Sequence, residues 1–470
     1  MLFYAGAISA LLALLSLYRL ASKGDVSSFL LSIPGYFFVG SILTLLLSVL
    51  WAIRILRRSS QLECRGVMMA LGMNILTLVL TAGSLEALVR ARSTDTPVGT
   101  KFAGLLLYPQ IWSDVIHRHR EVVERMTRER TFLVYDPDLG WTVAPNGRNA
   151  TGMDASSAEG LRSPQVGLSF ADPKTRHSGP AERPALVRLA LVGDSMTFGD
   201  EVRCEESWGH YLEQALGPNV QVLNFGVSGY GLNQVLLRYQ KDARPWKPQI
   251  VVIGITSEEI RRIVSVYTFL MNPEWRGMPF ARPRLVIKNG TPLPMNVPVP
   301  TPAEVFAHTT IKELPSLDQD AYYRRLEWER DGLWNLLEKS YFFRLLIALR
   351  PPIERSREGP TDEAMMALSG HVLKALVREV RENGAVPLVV HFPYQAELRN
   401  VAANGNKYIP PSVQMLRRAG IDYYDATACL LEARASDLYM PALHYSPTAN
   451  TVIAKCLGQI LQEEVRRRKL

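Results

Sequence analysis

Cysteine is scarce in this chain, with 4 in 470 residues, and this excludes a fold held together by a framework of disulfides. No Cys-x-x-Cys pair and no cluster of Cys and His has the spacing of a zinc site. The sequence also lacks internal repeats. Apolar residues make up 47% and charged residues 21%, which excludes a disordered or fibrous protein. The formal net charge of +8 comes without a nucleic-acid-binding motif, so we expect no nucleic acid as a partner.

Apolar residues crowd about the first ninety positions. Three stretches, over about residues 2–20, 29–53 and 67–88, each have the roughly 20 residues that an α-helix needs to cross a bilayer. None carries a charge deep in its middle. A cleaved signal peptide would need a basic start and a small-residue cleavage site, which the first stretch lacks. We therefore predict a region of three transmembrane helices over residues 1–92.

Loop charges predict the orientation of this region. The loop between the second and third stretches is the more basic one, and such loops face the cytoplasm. The N-terminus would then lie on the cytoplasmic side of a bacterial plasma membrane. Everything after the third stretch would lie on the periplasmic or extracellular side. Cys204, Cys429 and Cys456 would face the oxidising side, where at most one pair can form, and the sequence leaves that pair open. The basic residues of this loop are Arg54, Arg57, Arg58 and Arg65, against Arg19 and Lys23 in the preceding loop.

Residues 93–185 join this region to the rest of the chain. We expect an amphipathic, charged helix within residues 102–130 and then irregular structure, because residues 131–185 are rich in Pro, Gly, Asn and Ser. His117 and His119 are two positions apart and cannot share a helical face, so no metal site is expected there.

From about Val187, short apolar runs alternate with helical patterns. This alternation predicts an α/β domain over residues 186–470 with a doubly wound parallel sheet, whose site lies at the carboxyl ends of the strands. A long insertion over residues 265–350 interrupts it and is expected to cap the site or to form a partner surface. The predicted strands are Leu189–Val192, Val220–Asn224, Ile250–Ile255, Val386–His391 and Tyr423–Asp425.

The strongest chemical signal follows the first of these strands, where Gly193-Asp194-Ser195 precedes a predicted helix. Such a turn exposes the Ser195 hydroxyl at the carboxyl edge of the sheet and places the Ser195 amide where it can donate to an oxyanion. After the second strand, Gly226 lets the backbone approach a bound group, so its amide is a second candidate donor. His444 lies in a loop after the last strand and can return to the same edge.

These three pieces, in this order and spacing, resemble the SGNH/GDSL hydrolase superfamily over roughly residues 187–468. Residues 193–202 and 224–231 are similar to the first two sequence blocks of the family. The resemblance implies a flavodoxin-like domain with Ser195 as the nucleophile, His444 as the general base, and the amides of Ser195 and Gly226 in the oxyanion hole. It implies no cofactor and no metal. Residues 135–146 and 160–162 look like the lead-in of membrane-attached members.

Two positions depart from the family pattern. The third block of the family usually supplies an Asn side chain to the oxyanion hole, and here Ser257 is the candidate donor at that place. The family's Asp lies two or three residues before the His, where this chain has Pro441 and Ala442. Asp437 is the nearest acid before His444 and therefore the candidate orienting acid. Without an acid the tautomer of the His is not held, which costs about 10⁴ in kcat in a complete triad.

Two main functional hypotheses follow. The first is a membrane-anchored serine esterase or O-acyltransferase that acts on an acylated, and by expectation acetylated, cell-envelope carbohydrate, as the resemblance to membrane-tethered members implies. The second is a catalytically degenerate scaffold subunit of a membrane complex, with other membrane proteins as partners. A lipid-acting esterase stays open as a third, because the site would lie near the bilayer. The acyl donor, the acceptor and the oligomeric state are not readable from the sequence.

Overall fold

The computed structural model describes residues 61–467 apart from 97–98, 130, 172–185, 273–277, 325–326, 331 and 350–361, together with Leu50, Ile53, Arg54 and Arg57. Its α-helices are, in chain order, α1 (Gln61–Arg92), α2 (Trp112–Arg128), α3 (Ser195–Phe198), α4 (Trp208–Leu216), α5 (Leu232–Arg238), α6 (Ser257–Arg262), α7 (Thr268–Met271), α8 (Pro302–Ala307), α9 (Leu333–Leu337), α10 (Tyr341–Ala348), α11 (Asp362–Glu382), α12 (Gln395–Asn404), α13 (Pro411–Ala419), α14 (Ala426–Glu432) and α15 (Pro447–Arg467).

A five-stranded parallel sheet forms the centre of the fold. Its strands are β1 (Val187–Val192), β2 (Val220–Asn224), β3 (Ile250–Ile255), β4 (Val386–His391) and β5 (Tyr424–Asp425), in the spatial order β5-β4-β3-β1-β2. All four neighbouring pairs are parallel. The predicted parallel sheet is thereby confirmed, with β1 two residues longer at its start and β5 one residue shorter than expected. In such a sheet all the carboxyl ends lie at one edge.

Alternate side chains of the strands pack on opposite faces of the sheet. In β1, Ala190 and Val192 belong to the core on one face, whereas Leu189 and Leu191 belong to the core on the other. Helices α5, α11 and α13 contribute to the first core, and helices α4 and α15 to the second. The strands read as continuous apolar runs because both of their faces are buried.

The insertion packs against the lead-in segment. Val266, Phe269, Val299 and Val305 of the insertion share a core with Trp112 of α2. Short antiparallel sheets lie in the lead-in and the insertion. One sheet has the three strands Ser93–Thr96, Gly99–Phe102 and Leu105–Leu106. The others are pairs: Leu133–Asp136 with Gly140–Val143, Ala155–Ser156 with Arg162–Ser163, and Leu285–Lys288 with Thr291–Pro294. The expected helix of the lead-in is present as α2, which packs against the insertion through Trp112 and Val115 and against the core of the sheet domain through Met126.

The first two predicted transmembrane stretches fall outside the described residues, except for Leu50 and Ile53, and the third falls within α1. Among the helices of the described residues, none combines the length and the apolar character that crossing a bilayer requires. The C-terminal part of α1 packs through Leu85 and Val89 against Leu345 of α10.

Candidate active site

Ser195 stands at the carboxyl edge of the sheet, three residues after β1 ends, as the first residue of α3. Asp194 caps this short helix, because its Oδ1 accepts a hydrogen bond of 2.9 Å from the Met196 amide. Gly193 is needed here, since a Cβ on it would lie 2.1 Å from Oγ1 of Thr197. The strand, the turn and the cap together hold the Ser195 hydroxyl in one place.

The second oxygen of Asp194 ties this turn to the neighbouring strand. Oδ2 of Asp194 accepts hydrogen bonds of 2.9 Å from Oγ1 of Thr256, just after β3, and from Arg262 at the end of α6. Arg262 also donates to the carbonyl of Tyr230 at 3.0 Å. Because Asp194 and Arg262 are both buried, this ion pair is weakly screened by solvent. It therefore positions the turn that carries Ser195.

His444 contacts Ser195 directly, although 249 residues separate them in the sequence. Its Nε2 lies 2.9 Å from Oγ of Ser195, within hydrogen-bond reach. The His444 side chain keeps 20% of its surface exposed, so the pair is open to solvent on one side. The structure thus brings together the two residues that the sequence predicted as nucleophile and base.

Glu201 holds the loop that carries His444. Its Oε2 accepts from the His444 amide at 3.0 Å and lies 2.8 Å from Nδ1 of His444, while its Oε1 accepts from the Ala442 amide at 2.8 Å. A carboxylate only accepts hydrogen bonds, so Nδ1 carries the proton and Nε2 is free to accept one from Ser195. Glu201 and Leu443 both have left-handed backbones, with φ of 68° and 75°, which are strained conformations at this contact.

The structure corrects the prediction that Asp437 is the orienting acid. Asp437 accepts a hydrogen bond of 2.8 Å from Thr448 at the start of α15, whereas Glu201 occupies the place beside His444. Glu201 was present in the block that resembles the family, six residues after Ser195. Its nearness to the nucleophile was the available signal, but nothing in the sequence shows which carboxylate the His444 loop meets.

Two of the three predicted oxyanion donors are engaged elsewhere. The Gly226 amide donates to Oδ1 of Asn224 at 2.9 Å. The Ser257 hydroxyl donates to Glu397 and lies 3.0 Å from the Ser412 hydroxyl. The prediction of Ser257 as a donor is therefore not met in this structure, because its proton is used by a carboxylate outside the Ser195–His444 contact.

The Ser195 amide remains as a candidate oxyanion donor. None of the hydrogen bonds found within the described residues uses it. Asn224, which holds the Gly226 amide, also donates from its Nδ2 to the Thr197 carbonyl at 3.0 Å. The side chain of Asn224 therefore joins the turn after β1 to the turn after β2, a role that the sequence did not reveal.

Asp200 is a second carboxyl group beside His444. Its Oδ2 lies 3.8 Å from Nε2 of His444, and both of its oxygens accept from the Ser228 hydroxyl, at 2.7 and 2.8 Å. Burial raises the pKa of Asp200 to about 6, although His444 and Ser228 both favour the charged form.

Across the part of the chain that the structure describes, no three His, Cys, Asp or Glu side chains come together as metal ligands.

Solved structures of two esterases and of a protein of the G-D-S-L family are similar to this chain. An acetylxylan esterase from Geobacillus stearothermophilus, in a catalytic mutant, is 13% identical over 61% of this chain and 96% of its own, with a TM-score of 0.30. The esterase EstA from Pseudoalteromonas sp. is 13% identical over 59% and 98%, with a TM-score of 0.29. A G-D-S-L family protein from Desulfitobacterium hafniense is 14% identical over 58% and 99%, with a TM-score of 0.29.

No family model matches the chain, and no curated protein matches it. At the identities and TM-scores of the solved structures, the likeness does not decide the chemistry of the site. The chemistry of the site has to be inferred from the geometry around Ser195 and His444.

Proposed function

We propose that this protein is an SGNH-type serine esterase or O-acyltransferase. One observation carries the proposal: Ser195, His444 and Glu201 form a continuous chain of contacts of 2.9 and 2.8 Å. A nucleophile within reach of a base, and a base held by a third group, is the arrangement that activates a hydroxyl for acyl transfer.

The proposed reaction is a double displacement. Oγ of Ser195 bonds to the carbonyl carbon of an ester, and its proton passes to Nε2 of His444. The bond to the leaving alcohol then breaks, and the alcohol takes that proton from His444. Water, in hydrolysis, or a sugar hydroxyl, in transfer, gives a proton to His444 and attacks the acyl-serine, which releases Ser195 with its proton restored.

The Ser195 amide is the oxyanion donor in this proposal. The start of α3 fixes the direction of this amide, and no hydrogen bond found in the described chain uses it. It can therefore donate to developing charge without reorganising. The Gly226 amide contributes only if it leaves the Asn224 side chain. This sparse oxyanion hole is the observation that favours the second candidate function, a degenerate scaffold subunit of a membrane complex.

The substrate and the location are further parts of the proposal. The resemblance to membrane-tethered family members supports an acylated cell-envelope carbohydrate as the substrate. The three apolar stretches before residue 92 support attachment to a bacterial plasma membrane, and the loop charges support a domain on its outer side.

A fluorophosphonate probe tests the catalytic proposal, because it labels an activated serine covalently. We expect the full chain to be labelled and the Ser195→Ala variant to lose the label. Ser228→Ala is the matched control, since this serine lies next to the site but contacts Asp200 rather than His444. If the wild type stays unlabelled and purifies with stable partner subunits, the scaffold hypothesis is favoured over the enzyme hypothesis.

The acceptor and the substrate class need a separate measurement. Release of acetate from acetylated oligosaccharides, compared with release of fatty acid from phospholipid vesicles, distinguishes a carbohydrate esterase from a lipid-acting one. Transfer appears as acetylated product when an unacetylated oligosaccharide is added. We expect the carbohydrate substrate to be preferred.

A further inference from the structure

An exposed apolar surface stands out on the insertion, in the short helix α9 with the sequence Leu-Trp-Asn-Leu-Leu. We call it the α9 face and define it by five side chains: Leu333 (73% exposed), Trp334 (47%), Leu336 (66%), Leu337 (39%) and Leu346 (41%) of the following helix α10. The rings of Trp334 and Phe343 lie 6.1 Å apart and link α9 to α10. Clustered apolar side chains of this kind mark a surface that contacts something other than water.

Hydrogen bonds join the segment that follows α9 to α1, the helix that contains the third apolar stretch. The Glu86 carboxylate accepts hydrogen bonds from the Ser340 hydroxyl at 2.7 Å and from the amides of Tyr341 and Phe342 at 3.1 and 2.8 Å, which caps the start of α10. Arg90, one turn later on α1, donates to the Lys339 carbonyl at 3.3 Å. These contacts begin two residues after α9 ends, so α9 lies beside the C-terminal part of α1.

The exposed apolar side chains of α1 lead to this junction. Among the α1 side chains that the structure describes, the exposed apolar ones fall within an arc of about 140° at the angular spacing of an α-helix, and Glu86 lies within the same arc. Glu86 follows Val79 by seven residues, which is two turns or about 10 Å. The side chains in question are Met69, Ile75, Leu76, Val79 and Leu80. The apolar surface of α1 therefore ends close to where the insertion, and with it the α9 face, is attached.

We infer that the α9 face rests in the membrane surface, in the boundary between headgroups and acyl chains, and holds the catalytic domain at a set height and tilt. This inference rests on the proposed membrane attachment. Trp is favoured at such a boundary because its ring is largely apolar and its N–H is polar. An amphipathic helix there buries its apolar side by about 5–10 Å.

Charges around the face favour lipid over a protein partner or a second copy of the chain. The Arg330 guanidinium lies 4.5 Å from the centre of the Trp334 ring and pairs with Glu338 at 2.7 Å. Arg90 pairs with Glu86 at 2.7 Å, and Lys339 is exposed beside them, so the border of the face keeps a net positive charge. Basic side chains at the border of an apolar surface attract anionic headgroups. Two copies that met through this face would bring like charges together.

Depth-dependent fluorescence quenching tests the inference on the full chain. The protein is placed in nanodiscs whose lipids carry bromine either high on the acyl chains or near their ends, and the emission of Trp334 is isolated by subtracting the Trp334→Phe variant. We expect the shallow bromines to remove roughly half or more of this component and the deep ones clearly less, as the boundary depth requires. Trp246 is the matched control, because it also lies beside an arginine, Arg188, but in the sheet domain, and the component lost in Trp246→Phe should stay unquenched.

A second variant separates lipid contact from other ways of covering the face. Leu333→Ser with Leu336→Ser removes two exposed apolar side chains, and we expect this double variant to reduce the quenching of Trp334 by about two-fold or more, because less apolar surface is left to enter the boundary.

If the chain is bound to the bilayer but neither bromine position quenches Trp334, the inference is overturned and membrane attachment stands. Protection of Trp334 from both lipid and aqueous quenchers also overturns it, in favour of a protein partner or a second copy. If the chain does not bind the bilayer at all, the proposed attachment fails together with the inference.

Discussion

Glu201 is the residue on which the arrangement around His444 depends most directly. Its carboxylate makes three contacts with the His444 loop, two of them to backbone amides. It therefore fixes the position of the loop as well as the tautomer of the ring. A single residue in the turn after α3 thus organises a loop about 240 residues away.

The first prediction concerns Glu201→Gln. The glutamine amide can donate to Nδ1 of His444, which moves the ring proton to Nε2, where it blocks acceptance of the Ser195 proton. We expect the rate of fluorophosphonate labelling to fall by about 10⁴, as in a triad that has lost its acid. Asp437→Asn is the control and should label at nearly the wild-type rate. Equal labelling of Glu201→Gln and wild type, with loss in Asp437→Asn, would restore Asp437 as the acid.

The second prediction concerns the stability contributed by Asp200. Its pKa rises from 3.8 to about 6 on folding, so between these pH values the native state binds more protons than the unfolded state. Its contribution to stability is complete below pH ~4 and is lost as pH rises through about 6. Asp200→Asn stays neutral, so it should gain stability relative to wild type as pH rises.

The size of this gain is limited, because 21% of the Asp200 side chain is exposed. We expect about 2 kcal/mol or less in the free energy of unfolding above pH ~7, relative to the difference measured below pH ~4. Thermal or denaturant unfolding of the two proteins at both pH values measures it. A difference between them that does not change with pH would show that Asp200 is not forced into its neutral form by burial.

At the scale of elements, the site is assembled where β1, β3 and α6 end or begin. The Asp194–Arg262 ion pair joins these elements beneath Ser195. Its partners come from the turn after β1 and from the last residue of α6, and Thr256 after β3 shares the same oxygen. Packing of the sheet therefore determines where Ser195 stands.

The third prediction concerns Arg262→Met. Removing this guanidinium leaves the Asp194 carboxylate buried without its ion-pair partner, and we expect a loss of about 3–5 kcal/mol in the free energy of unfolding. Arg261→Met is the matched control, because Arg261 pairs with Glu258 at an exposed position and should cost less than about 1 kcal/mol. Denaturant titration of both variants measures the difference. Equal losses would mean that the buried pair does not hold the turn.

At the scale of the whole molecule, the redox state of the compartment that holds the domain determines the state of its cysteines. Cys429 of α14 and Cys456 of α15 are disulfide-bonded, with their Cα atoms 6.4 Å apart, and they lie 27 positions apart in the sequence. Cys204 is buried and free. This pairing is one of those that the sequence left open, and it forms only where the compartment is oxidising.

The fourth prediction uses this disulfide as a reporter of topology. Thiols are alkylated in intact cells, and the chain is then analysed without reduction by mass spectrometry. We expect Cys429 and Cys456 to be linked, because the domain is proposed to lie outside the cytoplasm. A loop of this length should add about 3–4 kcal/mol to the free energy of unfolding, lost in Cys429→Ser. Alkylation of both cysteines in wild-type cells would instead place the domain in the reducing cytoplasm.

The resemblance to the SGNH/GDSL superfamily implied the pairing of Ser195 with His444, whereas the sequence alone determined the parallel sheet and three of its strands to the residue. These follow from local chemistry: apolar runs buried on both faces form strands, and the carboxyl ends of parallel strands share one edge. Only the tertiary structure decided that Glu201 rather than Asp437 holds His444, that Gly226 and Ser257 are engaged by Asn224 and Glu397, and that Cys429 pairs with Cys456. Each of these depends on which loops meet in space, and a short-range hydrogen bond between side chains far apart in sequence leaves no periodic pattern along the chain.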